Sequence, residues 1–172
     1  MTPHTIFLIM CMLVPVDSHH AEHVYETIDR YWTIADTMSR VSKGDRELAA
    51  YLITAARYES TYDLAVHDGS VRGDDGRSWS IYQINTGRNP LAMVPTRGVY
   101  RYLAKHIVGT DYRSTARATL AAAVHMRWHI KHCGRNAPLC VFNRYGGVPK
   151  NAGAKTRERI SQRVTTWKRI RR

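Results

Sequence analysis

The chain has 172 residues and carries 26 Lys and Arg against 14 Asp and Glu, a formal net charge of +12 at pH 7. This length suits one domain with a single core and leaves little room for a second, and neither an internal repeat nor a linker rich in Pro, Gly or Ser divides it. Ala-rich helical patterning with one Gly/Asp-rich excursion argues for a mainly helical α+β domain, and the cation excess asks for an anionic partner.

The first element is an apolar run from Thr5 to Val16, too short to span a bilayer comfortably and of the length of a signal-peptide core. It predicts export, with residues 1–21 as leader, cleavage after Ser18 or Ala21, and no transmembrane span in the mature chain. The mature protein is then expected to be periplasmic or secreted. Only the amino terminus and His4 supply positive charge ahead of the run. Cys11 invites a lipoprotein reading, but Met10 is bulky where a small residue is required.

Residues 46–58 have high helix propensity, and Ser42 to Asp45 reads as a start signal with Glu47 in the first turn. A 3.6-residue period places Leu48, Leu52, Ala55 and Glu59 on one face, so Glu59 sits at the end of an apolar stripe. Partial desolvation and the negative end of a helix stopping there both favour the neutral carboxyl, which makes Glu59 a candidate proton donor. The competing reading is a terminal helix Glu that bends out to water.

Gly69, Gly73 and Gly76, with Asp68, Asp74 and Asp75, make residues 67–77 a turn-rich excursion. The alternation that follows, Trp79, Ile81 and Ile84 among Ser80, Gln83 and Asn85, predicts a short strand or hairpin. Such a segment can present polar side chains over a cleft floor, or it can be an edge strand without function.

A core helix is expected from Thr115 to His132, where Ala121 to Ala123 permit close helix approach and Leu120, Val124 and Trp128 point inward. His125, His129 and His132 share a face, but no carboxylate or thiolate pattern accompanies them, so no metal is expected. If Cys11 leaves with the leader, Cys133 and Cys140 remain around a short loop, and a disulfide is the natural expectation in an exported protein. Two free thiols would go with a cytosolic location.

The positive charge concentrates at the end: Lys155, Arg157, Arg159, Arg163, Lys168, Arg169, Arg171 and Arg172, opposed by Glu158. Ile160, Val164 and Trp167 are spaced i, i+4, i+7 within this block, which predicts an amphipathic helix docked by its apolar face through Trp167 with its charges solvated.

Three segments in order, Glu59-Ser60, Ser80-Ile81-Tyr82-Gln83-Ile84 and Phe142-Asn143-Arg144-Tyr145-Gly146-Gly147, resemble the motifs of the lysozyme-like superfamily. The soluble lytic transglycosylase type is nearest and goose-type lysozymes are close by. The likeness spans residues 46–150. It implies a lysozyme-like domain over residues 22–172 with a small β/loop excursion beside the catalytic helix. It further implies Glu59 as the catalytic acid and Ser60, Ser80, Tyr82, Gln83, Asn143 and Tyr145 as substrate-binding residues, with either Phe142-Asn143 or Arg144-Tyr145 standing over the family's Tyr-Asn pair. Ser80 stands where the family usually has Gly, and Tyr82 where it often has Met. Chicken-type lysozymes carry a second carboxylate at the position of Ser78, which cannot play that part.

The implied reaction is cleavage of the β-1,4 bond between N-acetylmuramic acid and N-acetylglucosamine by one Glu, giving 1,6-anhydro-muramyl ends. Asp68, Asp74 and Asp75 remain candidates for a water-activating base, which would make the protein a hydrolytic muramidase; their other reading is as turn formers beside glycine. The implied partners are peptidoglycan glycan strands and, through the basic terminal region, anionic cell-wall polymers. No cofactor is implied. Nucleic acid is not expected, because it explains the charge but not the leader or Glu59, and no recognisable binding motif is present. A catalytically inactive, cationic wall- or membrane-binding protein is the remaining class. Wall remodelling, assembly of an envelope-spanning machine and phage entry or lysis all use domains of this kind.

Overall fold

A computed structural model of the chain describes residues 1–18, 23–94, 102–149 and 151–172. In chain order the elements are α1 (Pro3–Leu13), α2 (Val24–Ser42), α3 (Arg46–Ser60), α4 (Leu64–His67), α5 (Gly73–Gly76), β1 (Ser78–Trp79), β2 (Ile84–Asn85), α6 (Tyr112–Cys133), α7 (Pro138–Tyr145) and α8 (Ala154–Arg171). The domain is mainly helical; the sheet among the described residues is the antiparallel pair β1–β2, in register Ser78 with Asn85 and Trp79 with Ile84.

Helix α3 is the axis of the core. Its start is fixed by Asp45, whose carboxylate accepts from the amides of Glu47 and Leu48, two of the donors that the first turn of a helix leaves unpaired. Every residue from Leu48 to Ala56 is buried. A helix buried all round must be covered on all sides, and α1, α2, α6 and α8 pack around it.

The end of α3 is equally determined. Thr61 and Tyr62 adopt φ of 57° and 55°, a left-handed conformation that terminates helices. Arg30 of α2 donates to the carbonyl of Tyr62, and the Tyr62 hydroxyl donates back to Ile53 O at 3.0 Å. Glu59 therefore occupies the last turn of a helix whose stop is tied to the core.

In α6 the fully inward residues are Thr115, Ala118, Thr119, the three alanines 121–123 and Met126, whereas Leu120, Val124 and Trp128 are only half-buried. Leu120, Val124 and Trp128 were expected inward and are not fully so; the alanines expected to permit close helix approach do face inward, which brings the α6 backbone close to its neighbours. Thr119 Oγ1 meets Thr37 Oγ1 of α2 at 3.1 Å across that contact.

Helix α8 docks on α3 and α7 through Ile160, Trp167 and Ile170. The expected apolar stripe continues one turn beyond Trp167. Helix α1 lies against α2 with Ile6 and Met10 buried, yet Leu8 and Met12 on its outer side are exposed. It is apolar all round although only half covered, unlike an ordinary amphipathic surface helix. No described helix is long and apolar enough to cross a membrane. The cleavage position after Ala21 lies outside the described residues.

Candidate active site

Glu59 opens into a cleft of about 420 Å³, within the range of small-molecule sites. The opposite wall is the α5–β hairpin, with Asp74, Gln83, Ile84 and Asn85; His125 of α6, Tyr145 at the end of α7, and Gly146 and Gly147 after it complete the cleft.

The Glu59 side chain is 19% exposed and its Oε1 accepts from Nη1 of Arg163 at 2.5 Å. Arg163 comes from α8, is 13% exposed, and also lies over the Tyr58 ring. Burial pushes the Glu59 carboxyl above the ordinary glutamate range; the charge and hydrogen bond of Arg163 pull it back, Asp74 adds to the rise and Arg159 opposes it. Burial prevails, because a carboxylate that loses water must recover its solvation from protein donors, and a single guanidinium recovers part of it.

Gln83 is held from both ends of its amide. Its Oε1 accepts from the Gly73 amide at 2.8 Å and its Nε2 donates to Ser80 O at 3.1 Å. Position 73 needs glycine for this, since a Cβ there would lie 2.1 Å from Gln83 Oε1 and displace the amide. Tyr145 donates its hydroxyl to Tyr82 O at 2.9 Å. Burial first, and then the nearby Glu59 charge, keep that phenol far above its usual titration range, so it acts as a fixed neutral donor.

Of the three aspartates in the excursion, the fold selects Asp74. Its Oδ2 accepts from Ser78 Oγ at 2.6 Å and Asn85 Nδ2 at 3.4 Å. Asp74 and Asp75 have φ of 51° and 54°, values that Asp tolerates better than most residues. Asp75 is 81% exposed and pairs with Arg77, while Asp68 caps the amide of Ser70; neither lines the cleft. Asp74 thus lines the cleft four residues before Ser78 and is hydrogen-bonded to it.

Several expected binding residues lie elsewhere. Tyr82 is fully buried with its hydroxyl against Thr119 at 3.2 Å, so only its backbone carbonyl serves the cleft, through Tyr145. Ser80 is buried at φ 66°, a conformation that favours glycine. Its Oγ instead accepts from the Tyr82 amide at 3.3 Å within the tight turn. Ser60 donates to Ala56 O and accepts from the Tyr62 amide, supporting the stop of α3 and not the cleft. Asn143 is separated from Tyr145 because residues 142–145 form helix and not a turn. Two positions along a helix differ by about 200°, so the two side chains leave opposite sides.

Cys133 and Cys140 are joined as a disulfide, Cα to Cα 5.7 Å, which ties the end of α6 to the first turn of α7. Among the described residues no group of three or more His, Cys, Asp or Glu is placed to hold a metal ion.

Arg163, whose charge the sequence places among the solvated ones but which is 13% exposed and paired with Glu59, and His125 were not among the expected site residues. Arg163 had a sequence signal: it falls at i+3 in the α8 stripe that begins at Ile160. A charge on an apolar stripe, like Glu59 on its own, needs a buried partner. His125 had none beyond sharing a face with His129. Comparison of the chain with family models, curated proteins and solved structures finds no match.

Proposed function

We propose that this protein is a lytic transglycosylase that cleaves the bond between N-acetylmuramic acid and N-acetylglucosamine in peptidoglycan, with Glu59 as acid and base in a lysozyme-like domain. The carrying observation is the burial-raised carboxyl of Glu59 at the mouth of a polar cleft. With Arg163 engaging Oε1, Oε2 carries the proton. It passes to the glycosidic oxygen as the bond from the anomeric carbon breaks. The Glu59 carboxylate then takes the proton of the muramyl 6-hydroxyl as that oxygen closes on the same carbon, returning the acid and consuming no water. Gln83, Asn85 and Tyr145 offer the fixed polar contacts that orient a sugar. The apolar α1 supports export, and the exposed cations of α8 support adsorption to anionic wall polymers.

Asp74 favours a second reading, a hydrolytic muramidase in which it activates water. It is the excursion carboxylate on the cleft wall facing Glu59, and paired carboxylates across a sugar are the usual hydrolytic arrangement.

Digestion of purified cell walls tests both readings. Glu59→Gln should retain the fold and lose at least about tenfold in cleavage, since general acid catalysis contributes 10²- to 10⁴-fold. Released muropeptides are expected to carry anhydro-muramyl ends, and Asp74→Asn to leave that product in place. Reducing ends lost on Asp74→Asn would assign the hydrolytic reading. Full activity in Glu59→Gln would reject both.

A further inference from the structure

Helix α7 is a wall between two cavities. One side carries Val141 and Phe142 into the core and Tyr145 into the cleft; the other carries Leu139, Asn143 and Arg144 into a second groove of about 580 Å³. Val148, Ala152 and Arg157 form its far wall, and Gly147 borders both cavities, so the groove lies beside the cleft.

The groove's chemistry differs from the cleft's. Its walls are largely aliphatic and its polar groups are Asn143 and two exposed arginines. Neither Arg144 nor Arg157 takes part in an ion pair among the described residues. Arg144 lies over the Trp128 ring, 5.2 Å from its centroid, an arrangement that restrains the guanidinium while leaving its edge to donate. Small apolar walls with two cations suit a short peptide of small side chains that ends in a carboxylate. They do not suit an uncharged sugar.

We propose that this groove binds the peptide branch carried by the muramyl residue next to the cleaved bond, so that the protein prefers peptide-bearing to peptide-free glycan. Arg144 and Arg157 receive its carboxylates, Leu139, Val148 and Ala152 its methyl groups, and Asn143 its backbone. This rests on the peptidoglycan reading and has Asn143 and Tyr145, two residues apart in the motif, serve different parts of one substrate.

Binding and cleavage separate the two ideas. Calorimetry on Glu59→Gln protein compares a muramyl disaccharide bearing its peptide with the same disaccharide stripped of it. The peptide should tighten binding about tenfold, as two charge-assisted contacts would. In the same background Arg144→Gln/Arg157→Gln should bring the two ligands to equal affinity, while Arg144→Lys/Arg157→Lys should keep most of the preference. Equal affinity for both ligands in the Glu59→Gln protein, or a preference untouched by the glutamine pair, overturns the proposal. If stripped strands are cleaved by the unaltered protein but the ligands bind alike, the groove assignment falls and the enzymatic reading stands. If neither strand is cleaved but the arginine-dependent preference appears, the groove stands and the enzymatic reading falls.

Discussion

Replacing Arg163 with Gln isolates the contact that the α3 and α8 helices make through their charges. The pair is bonded at 2.5 Å with side chains 13% and 19% exposed, so bulk water relieves neither group fully. Deleting one member of such a pair costs on the order of 3–5 kcal/mol when the survivor must remain ionised. Glu59 has an alternative, which is to bind a proton. Its folded-state pKa is already raised by burial, and loss of the two Arg163 contributions raises it further. A raised carboxyl pKa means that the folded state holds the proton more tightly than the unfolded chain. That contribution to stability is complete below the ordinary glutamate pKa and is lost as pH rises through the folded value. Urea melts should therefore show Arg163→Gln destabilised by about 3 kcal/mol at pH 8 and by roughly 1 kcal/mol at pH 5, the residue being lost packing over Tyr58. The alkaline limb of kcat/KM on soluble glycan should move to higher pH, since it reports the free enzyme's acid. Arg163→Lys, which keeps the charge, should restore most of both effects. Equal destabilisation at the two pH values with an unmoved limb would refute the assignment of Arg163 as the group that holds Glu59.

Two further outcomes follow from the same geometry. Reduction of Cys133–Cys140, checked by intact mass with and without reductant, should lower stability by about 2 kcal/mol for a loop this short and weaken cleavage by loosening α7; protein from its native compartment with two freely alkylated thiols would reject the bond. Changing Lys168, Arg169, Arg171 and Arg172 together to Gln should reduce wall adsorption and its salt dependence while sparing cleavage of short soluble glycan. Substitution is the right perturbation because truncation would also remove the docked Ile170, and an equal loss on soluble glycan would place these charges in the site.

Local and periodic signals sufficed for much of this molecule. Asp45 marks the start of α3 because a carboxylate there satisfies amides two and three residues away, an interaction confined to one turn. The β1–β2 hairpin follows from alternation, the apolar face of α8 from a period of 3.6, and the Cys133–Cys140 bond from a separation of seven residues. Glu59 was legible for the same reason, as a charge placed by period on an apolar stripe.

Tertiary packing decided the rest. Period places Glu59 on an apolar stripe, but its pairing with Arg163 across 104 residues depends on α8 lying along α3. The sequence offers Asp68, Asp74 and Asp75 as equals; a left-handed backbone and the hydrogen bonds of Ser78 and Asn85 turn Asp74 to the cleft. Tyr82 and Tyr145 are alike in composition, yet the close α2–α6 contact at Thr37 and Thr119 takes the Tyr82 hydroxyl, while the end of α7 delivers that of Tyr145 to the Tyr82 carbonyl. A sequence pattern fixes which face a residue occupies, whereas the neighbour of that face is set by helix packing, because only there do groups distant in the chain compete for the same buried volume.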